Sequence, residues 1–147
     1  MSNNTIENVK SEEINAESLS PITLAFMGDA VYETLVRDYL ITELKLPAAK
    51  LHQACVSFVN ATAQAEAVKL LMPHLSQEEL TILRRGRNAN TAHVPKNATP
   101  ADYHYATGLE ALFGYLFLKR KTDRIYEIFN FIVQLRCHNE TLGGNSF

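Results

Sequence analysis

Two carboxylates stand in apolar company. In the stretch YHYATGLEALFGYLFL, from Tyr103 to Leu118, Glu110 is the only charged residue between Ala106 and Leu118. At the helical turn of about 100° per residue, its face carries Tyr103, Ala106, Phe113, Gly114 and Phe117, and no Lys or Arg lies one turn away. A helix apolar nearly all round is a central, buried helix, where a lone carboxylate is costly unless something compensates it. Asp29 sits in similar surroundings, at the centre of LAFMGDAVYETLV with Ile22, Ala25 and Val36 flanking it. Glu33, one turn on, is a like charge rather than a partner. Gly28 precedes Asp29, and Gly114 lies one turn after Glu110. Glycine inside a helix costs about 1 kcal/mol relative to alanine, and suits a place where another backbone or a ligand comes close. Two buried acids on two central helices suggest a shared hard cation, magnesium or manganese. Such an ion takes one or two carboxylates and completes its shell with water and substrate phosphate, which is the chemistry of in-line phosphodiester displacement. In the competing reading each acid meets a distant arginine or a backbone donor, and periodicity does not decide between the two.

A second constellation is basic. LRRGRNANTAHVPKN, from Leu83 to Asn97, gathers Arg84, Arg85, Arg87 and Lys96 with Asn88, Asn90, Asn97 and His93, and no acid interrupts it. Arginine and asparagine suit phosphate and ribose contacts, and the wide minor groove of A-form RNA presents 2′-hydroxyls to such side chains. The plainer alternative is a solvated loop after a helix whose last-turn arginines complement its dipole.

The elements that must position these groups read as helices throughout, with no alternating β-branched stretch and no Asn-Gly or Asp-Gly turn. Ser20-Pro21 opens a helix reaching about Thr42. A second begins near Pro47. Asn60 caps a third, Ala61 to Leu71, ended by Pro73. Ser76-Gln77-Glu78-Glu79 is a capping box for a fourth, through about Arg85. A long polar loop is predicted from Gly86 to Thr99, then a helix capped by Thr99 to about Leu118. A last helix, capped by Thr122, runs from Asp123 to about Arg136.

With 147 residues, 46% of them hydrophobic, the chain suits one all-α domain, read as 18–137 between flexible tails at 1–17 and 138–147. The N-terminal stretch has neither the basic start nor the apolar centre of a secretory signal, and no apolar run reaches the roughly 18 residues of a membrane span. Cys55 and Cys137 are read as free buried thiols of a reducing cytosol. The net charge of −2 argues mildly against a nucleic-acid binder, so charge distribution matters more than the sum. The five histidines show no metal-ligand spacing, with His52 and His104 read as surface or hydrogen-bonded residues. The tyrosines read as core or interface residues, and there is no Walker loop or dinucleotide fingerprint.

Three segments, LAFMGDAVYETLVRDYL from Leu24, LRRGRNANTAHVPKN from Leu83 and ATGLEALFGYLFL from Ala106, together resemble the ribonuclease III catalytic domain. The likeness extends roughly from Leu19 to Phe131 and is closer to the family's short form, Mini-ribonuclease III, which has no double-stranded-RNA-binding domain. The resemblance implies an all-α endonuclease that acts in the cytoplasm as a homodimer and uses magnesium, with manganese as a substitute, to cut both strands of duplex RNA. Asp29 and Glu110 match the catalytic, metal-binding acids of the two family signatures. Phe26 matches the aromatic position packed into the partner subunit. Precursor 23S ribosomal RNA is the implied substrate, and an accessory ribosomal protein stays open as a further partner. Without a second RNA-binding domain, affinity is expected from the catalytic groove, with Arg84, Arg85, Arg87, Asn88, Lys96 and Asn97 as the clamp. The sequence departs from the longer enzymes at two signature acids, where it has Ala25 and Thr107. The short form shares that reduced set. The roles of Glu33, Thr107 and Asp102 stay open. Two other readings remain: a ribonuclease III-like RNA-binding module without chemistry, favoured by the two missing acids and opposed by the two retained, and a helical interaction protein that binds no RNA.

Overall fold

The computed structural model describes residues 14–89 and 94–143, with side chains up to residue 138. Among these residues, six α-helices and two short 3-10 turns make up the regular structure, and no strand occurs. The helices are α1 (Pro21–Thr42), α2 (Ala48–Val59), α3 (Ala61–Leu71), α4 (Gln77–Arg87), α5 (Pro100–Leu118) and α6 (Thr122–Gly143).

Their starts follow from local chemistry. The side chains of Ser20, Asn60 and Thr99 accept from the backbone N–H groups of Thr23, Ala63 and Asp102, and Pro21 and Pro100 occupy first-turn positions that need no N–H donor. Ser76 and Glu79 form the full capping box. Glu79 is also held by Arg124 of α6 through two 2.8 Å contacts, so the start of α4 is tied to the last helix.

Helix α5 is the axis of the fold, with Leu109 and Ala111, Leu112, Phe113, Tyr115 and Leu116 fully buried. Helices α1, α3 and α4 pack along it. Two close crossings set the geometry. At the first, a Cβ on Gly28 of α1 would lie 1.5 Å from the carbonyl oxygen of Glu110, and one on Gly114 would lie 1.9 Å from that of Leu24. At the second, a Cβ on Gly86 of α4 would lie 2.9 Å from the Cα of Gly108. The pairs Gly28/Gly114 and Gly86/Gly108 let α1 and α4 approach α5 backbone to backbone.

Three boundaries differ from the sequence reading. The fourth helix continues to Arg87, so the polar segment starts after it. The last helix runs to Gly143 rather than ending near Arg136, and takes in part of the stretch expected to be a tail. The N-terminal stretch expected to be flexible ends in an anchored turn, Ala16–Ser18, with Ala16 fully buried. The Glu17 carboxylate accepts from the Tyr115 hydroxyl at 2.8 Å and pairs with Lys119 at 2.5 Å. The thiols also divide: Cys55 is buried, but Cys137 is exposed, with its sulfur 3.9 Å from the Tyr39 hydroxyl.

Candidate active site

Asp29 follows Gly28 on α1, and Glu110 is the residue whose backbone Gly28 abuts on α5. The close crossing therefore brings the two acids together. Asp29 is exposed, which corrects the expectation of two buried acids. Its apolar neighbour Ile22 is itself 45% exposed, so part of the apolar face of α1 borders solvent rather than core. Glu110 is only partly accessible.

Burial pushes the Glu110 carboxyl up to about 7, with the charge of Asp29 adding to the rise and a hydrogen bond from Gln64 opposing it. The Asp29 carboxyl is raised as well, by desolvation and then by the charge of Glu33. Among the described residues no cation stands against either acid, so the pair is an uncompensated negative site. No cluster of three or more His, Cys, Asp or Glu able to hold a metal occurs among the described residues. Two carboxylates are nevertheless enough for magnesium, which fills its remaining positions with water and phosphate.

The two positions where the sequence departs from the longer enzymes are structurally filled. Ala25 is buried on α1. The Thr107 hydroxyl donates to the carbonyl of Tyr103 at 3.0 Å, which leaves its oxygen able only to accept from a further group. Glu33 pairs with Arg37 at 3.4 Å and receives the Cys55 thiol at 3.9 Å. The Asp102 carboxylate accepts from the Thr62 hydroxyl at 3.4 Å.

The basic segment divides by use. Arg85 donates to the carbonyls of Glu17 and Leu19, so it clamps the N-terminal turn. Arg87 lies over the Tyr105 ring, 5.5 Å from its centre, with Lys69 on the same ring at 5.8 Å. Arg84, Asn88, Lys96 and Asn97 are exposed. Asn90 and His93 lie outside the described residues. Arg84 and Lys96 are thus the cations with most freedom to meet a polyanion. Replacing both with alanine is expected to lower the slope of log K for duplex RNA against log salt by about 2, near 1 for each phosphate no longer neutralised. An unchanged slope in filter binding would remove this segment from the interface. Arg85→Ala is expected to lower the melting temperature instead.

Phe26 projects from α1 at 84% exposure. Beside it a shallow groove of about 280 Å³ is lined by Met27, Ala30, Val31, Phe117 and Tyr126, among others.

Sequence reasoning missed Gln64. It is 3% exposed on α3 and meets Glu110. In ATAQAEAVKLL the glutamine shares the stripe of Ala65, Val68 and Leu71 that the structure buries.

A Ribonuclease III domain model matches residues 22–121. A Mini-ribonuclease 3 from Thermoanaerobacter is 45% identical over 118 residues, covering 80% of this chain and 83% of that protein. One from Staphylococcus aureus is 38% identical over 119 residues, covering 80% and 89%. A crystal structure of a Fusobacterium nucleatum protein superposes with a TM-score of 0.74 at 31% identity, over 84% of this chain and 99% of that one.

Proposed function

Because this chain belongs to the ribonuclease III family, we propose that Asp29 and Glu110 form the metal-binding centre of an endonuclease that hydrolyses duplex RNA. The observation that supports this most is the meeting of two uncompensated acids where Gly28 and Gly114 let two helices cross. A bound magnesium ion, or manganese in its place, supplies charge stabilisation at the scissile phosphate and lowers the pKa of the attacking water. The residues supply the rest. Asp29, exposed, is reachable from the substrate side, while Glu110 gives a carboxylate fixed by burial. Arg84 and Lys96, with Asn88 and Asn97, hold phosphates and riboses along the duplex. Precursor 23S ribosomal RNA is the substrate implied by likeness to the short form, and the cytoplasm is its compartment.

The active unit is a homodimer. Phe26, 84% exposed, continues into an apolar patch with Ile22 one turn before it, 45% exposed, and such a patch marks a surface for a partner. Its neighbour Met27, with Ala30 and Val31, lines an apolar groove on the same helix, and in the proposed two-fold dimer each copy's Phe26 packs against the other copy. Phe26→Glu is expected to give a monomer by light scattering; a dimer of unchanged mass would refute the contact.

The test of the activity is incubation with a long, fully paired RNA. Cutting in magnesium, none in EDTA, and sparing of a single strand are expected. Binding without cutting in magnesium or manganese would favour the non-catalytic module that the absent acids at Ala25 and Thr107 suggest. Absence of binding would leave a helical interaction protein.

A further inference from the structure

Only three polar or charged side chains are buried among the described residues: Gln64, Glu79 and Thr107. Two have structural partners, Glu79 in its capping box with Arg124 and Thr107 on the carbonyl of its own helix. Gln64 is different. It lies on α3, which packs against α5, with Thr62 meeting Asp102 and Lys69 lying over the Tyr105 ring. Alanines at positions 61, 63, 65 and 67 keep that helix narrow around it. Burying a primary amide without a partner is costly, and an apolar residue would pack the same space without that cost. Gln64 acts on the Glu110 carboxylate, opposing the rise that burial imposes on it.

We infer that Gln64 is a positioning residue of the acid site, its side-chain amide donating to the Glu110 carboxylate and holding it on the side of Asp29. A half-buried carboxylate with no cation beside it, as at Glu110, has free lone pairs and a free χ3 rotor. A fixed donor on one oxygen leaves the other directed at a shared cation, as groups behind metal ligands do in general. In a site reduced to two carboxylates, neither can be slack if one ion is to be bound by both. The inference rests on the proposed metal-dependent activity and adds a residue that the family signatures around Asp29 and Glu110 do not include.

Gln64→Met keeps length and volume and removes the donor. With helicity unchanged by circular dichroism, the expected result in calorimetric titration with Mn²⁺ alone is affinity weakened at least tenfold, the usual scale for removal of a supporting group. The single-turnover rate on saturating duplex should fall with it, while duplex affinity in EDTA stays at the wild-type value. A residue that only packs would leave Mn²⁺ affinity untouched, and that result overturns the inference. Should Gln64→Met fail to fold, Gln64→Glu decides. It places a third carboxylate against the pair, so Mn²⁺ binding at pH 8 should tighten, and unchanged affinity overturns the inference. If wild type itself neither binds Mn²⁺ nor cuts duplex RNA, the proposed activity fails; if it does both and the variants match it, only the role of Gln64 fails.

Discussion

Gly28→Ala is expected to lower the melting temperature by roughly 10 °C and to reduce cleavage further than the loss of folded protein explains. The added methyl would lie 1.5 Å from the carbonyl oxygen of Glu110, 2.5 Å from its carbonyl carbon and 2.7 Å from the backbone nitrogen of Gly114. All three are backbone atoms, so no side-chain rotation relieves the clash and the helices must part. Overpacking a core costs about 1–3 kcal/mol when side chains can yield. A backbone clash belongs at or above the top of that range, and for a domain of this size each kcal/mol moves the melting temperature by roughly 4 °C. The functional loss has the same origin, because the crossing that would open is the one that joins Asp29 to Glu110. Gly114→Ala should behave alike, with its methyl 1.9 Å from the carbonyl oxygen of Leu24. Wild-type melting of either variant would mean that the crossing is looser than described.

The second large effect has the opposite sign. Glu110→Gln is expected to stabilise the metal-free protein at pH 8 while removing activity. A carboxyl with an ordinary value of 4.5 is held in the fold at about 7, chiefly by burial. The folded state therefore binds that proton more tightly than the unfolded chain does. Below about pH 4.5 both states are protonated and nothing is lost. Between 4.5 and 7 the unfolded chain ionises first, and stability falls as pH rises. Above 7 the full difference is lost, roughly 3 kcal/mol at 1.36 kcal/mol per unit. Glutamine has no proton to lose, so the melting temperature of Glu110→Gln should exceed that of wild type at pH 8 by several degrees and converge with it near pH 4.5. Adding Mn²⁺ should stabilise wild type and leave the variant nearly unmoved, since only a ligand bound to the folded state raises its stability. Coincident melting curves of the two proteins at pH 8 would show that Glu110 is as well solvated as a surface acid.

Much of this architecture was legible because its signals are local. Ser20-Pro21, Asn60, Ser76 with Glu79, and Thr99 each satisfy backbone donors within one turn, and the helices start where those residues stand. Glu110 was legible as a lone charge on an otherwise apolar helix. What was not legible depends on partners distant in sequence. The N-terminal turn is held by Arg85, Tyr115 and Lys119, none of which its own residues announce. Arg85 and Arg87 add to the charge of the basic stretch by composition, yet one is spent on carbonyls and the other on the Tyr105 ring, because side-chain direction is set by what packs against the helix. Asp29 was placed in the core because apolar residues surround it on the helical wheel. Ile22 and Phe26 are exposed, so that apolar face is one a second molecule could cover. Gln64 escaped notice because a glutamine among alanines is ordinary on a surface helix and unusual only once α3 is known to lie against α5.

The most direct test of the central claim is the single-turnover rate on a bound duplex RNA in magnesium for wild type, Asp29→Asn and Glu110→Gln. If the two acids share one catalytic cation, both variants should bind the duplex as wild type does and cut it at least about 10³-fold more slowly, the scale of losing a group that stabilises transition-state charge. Cleavage at the wild-type rate by either variant would contradict the shared site.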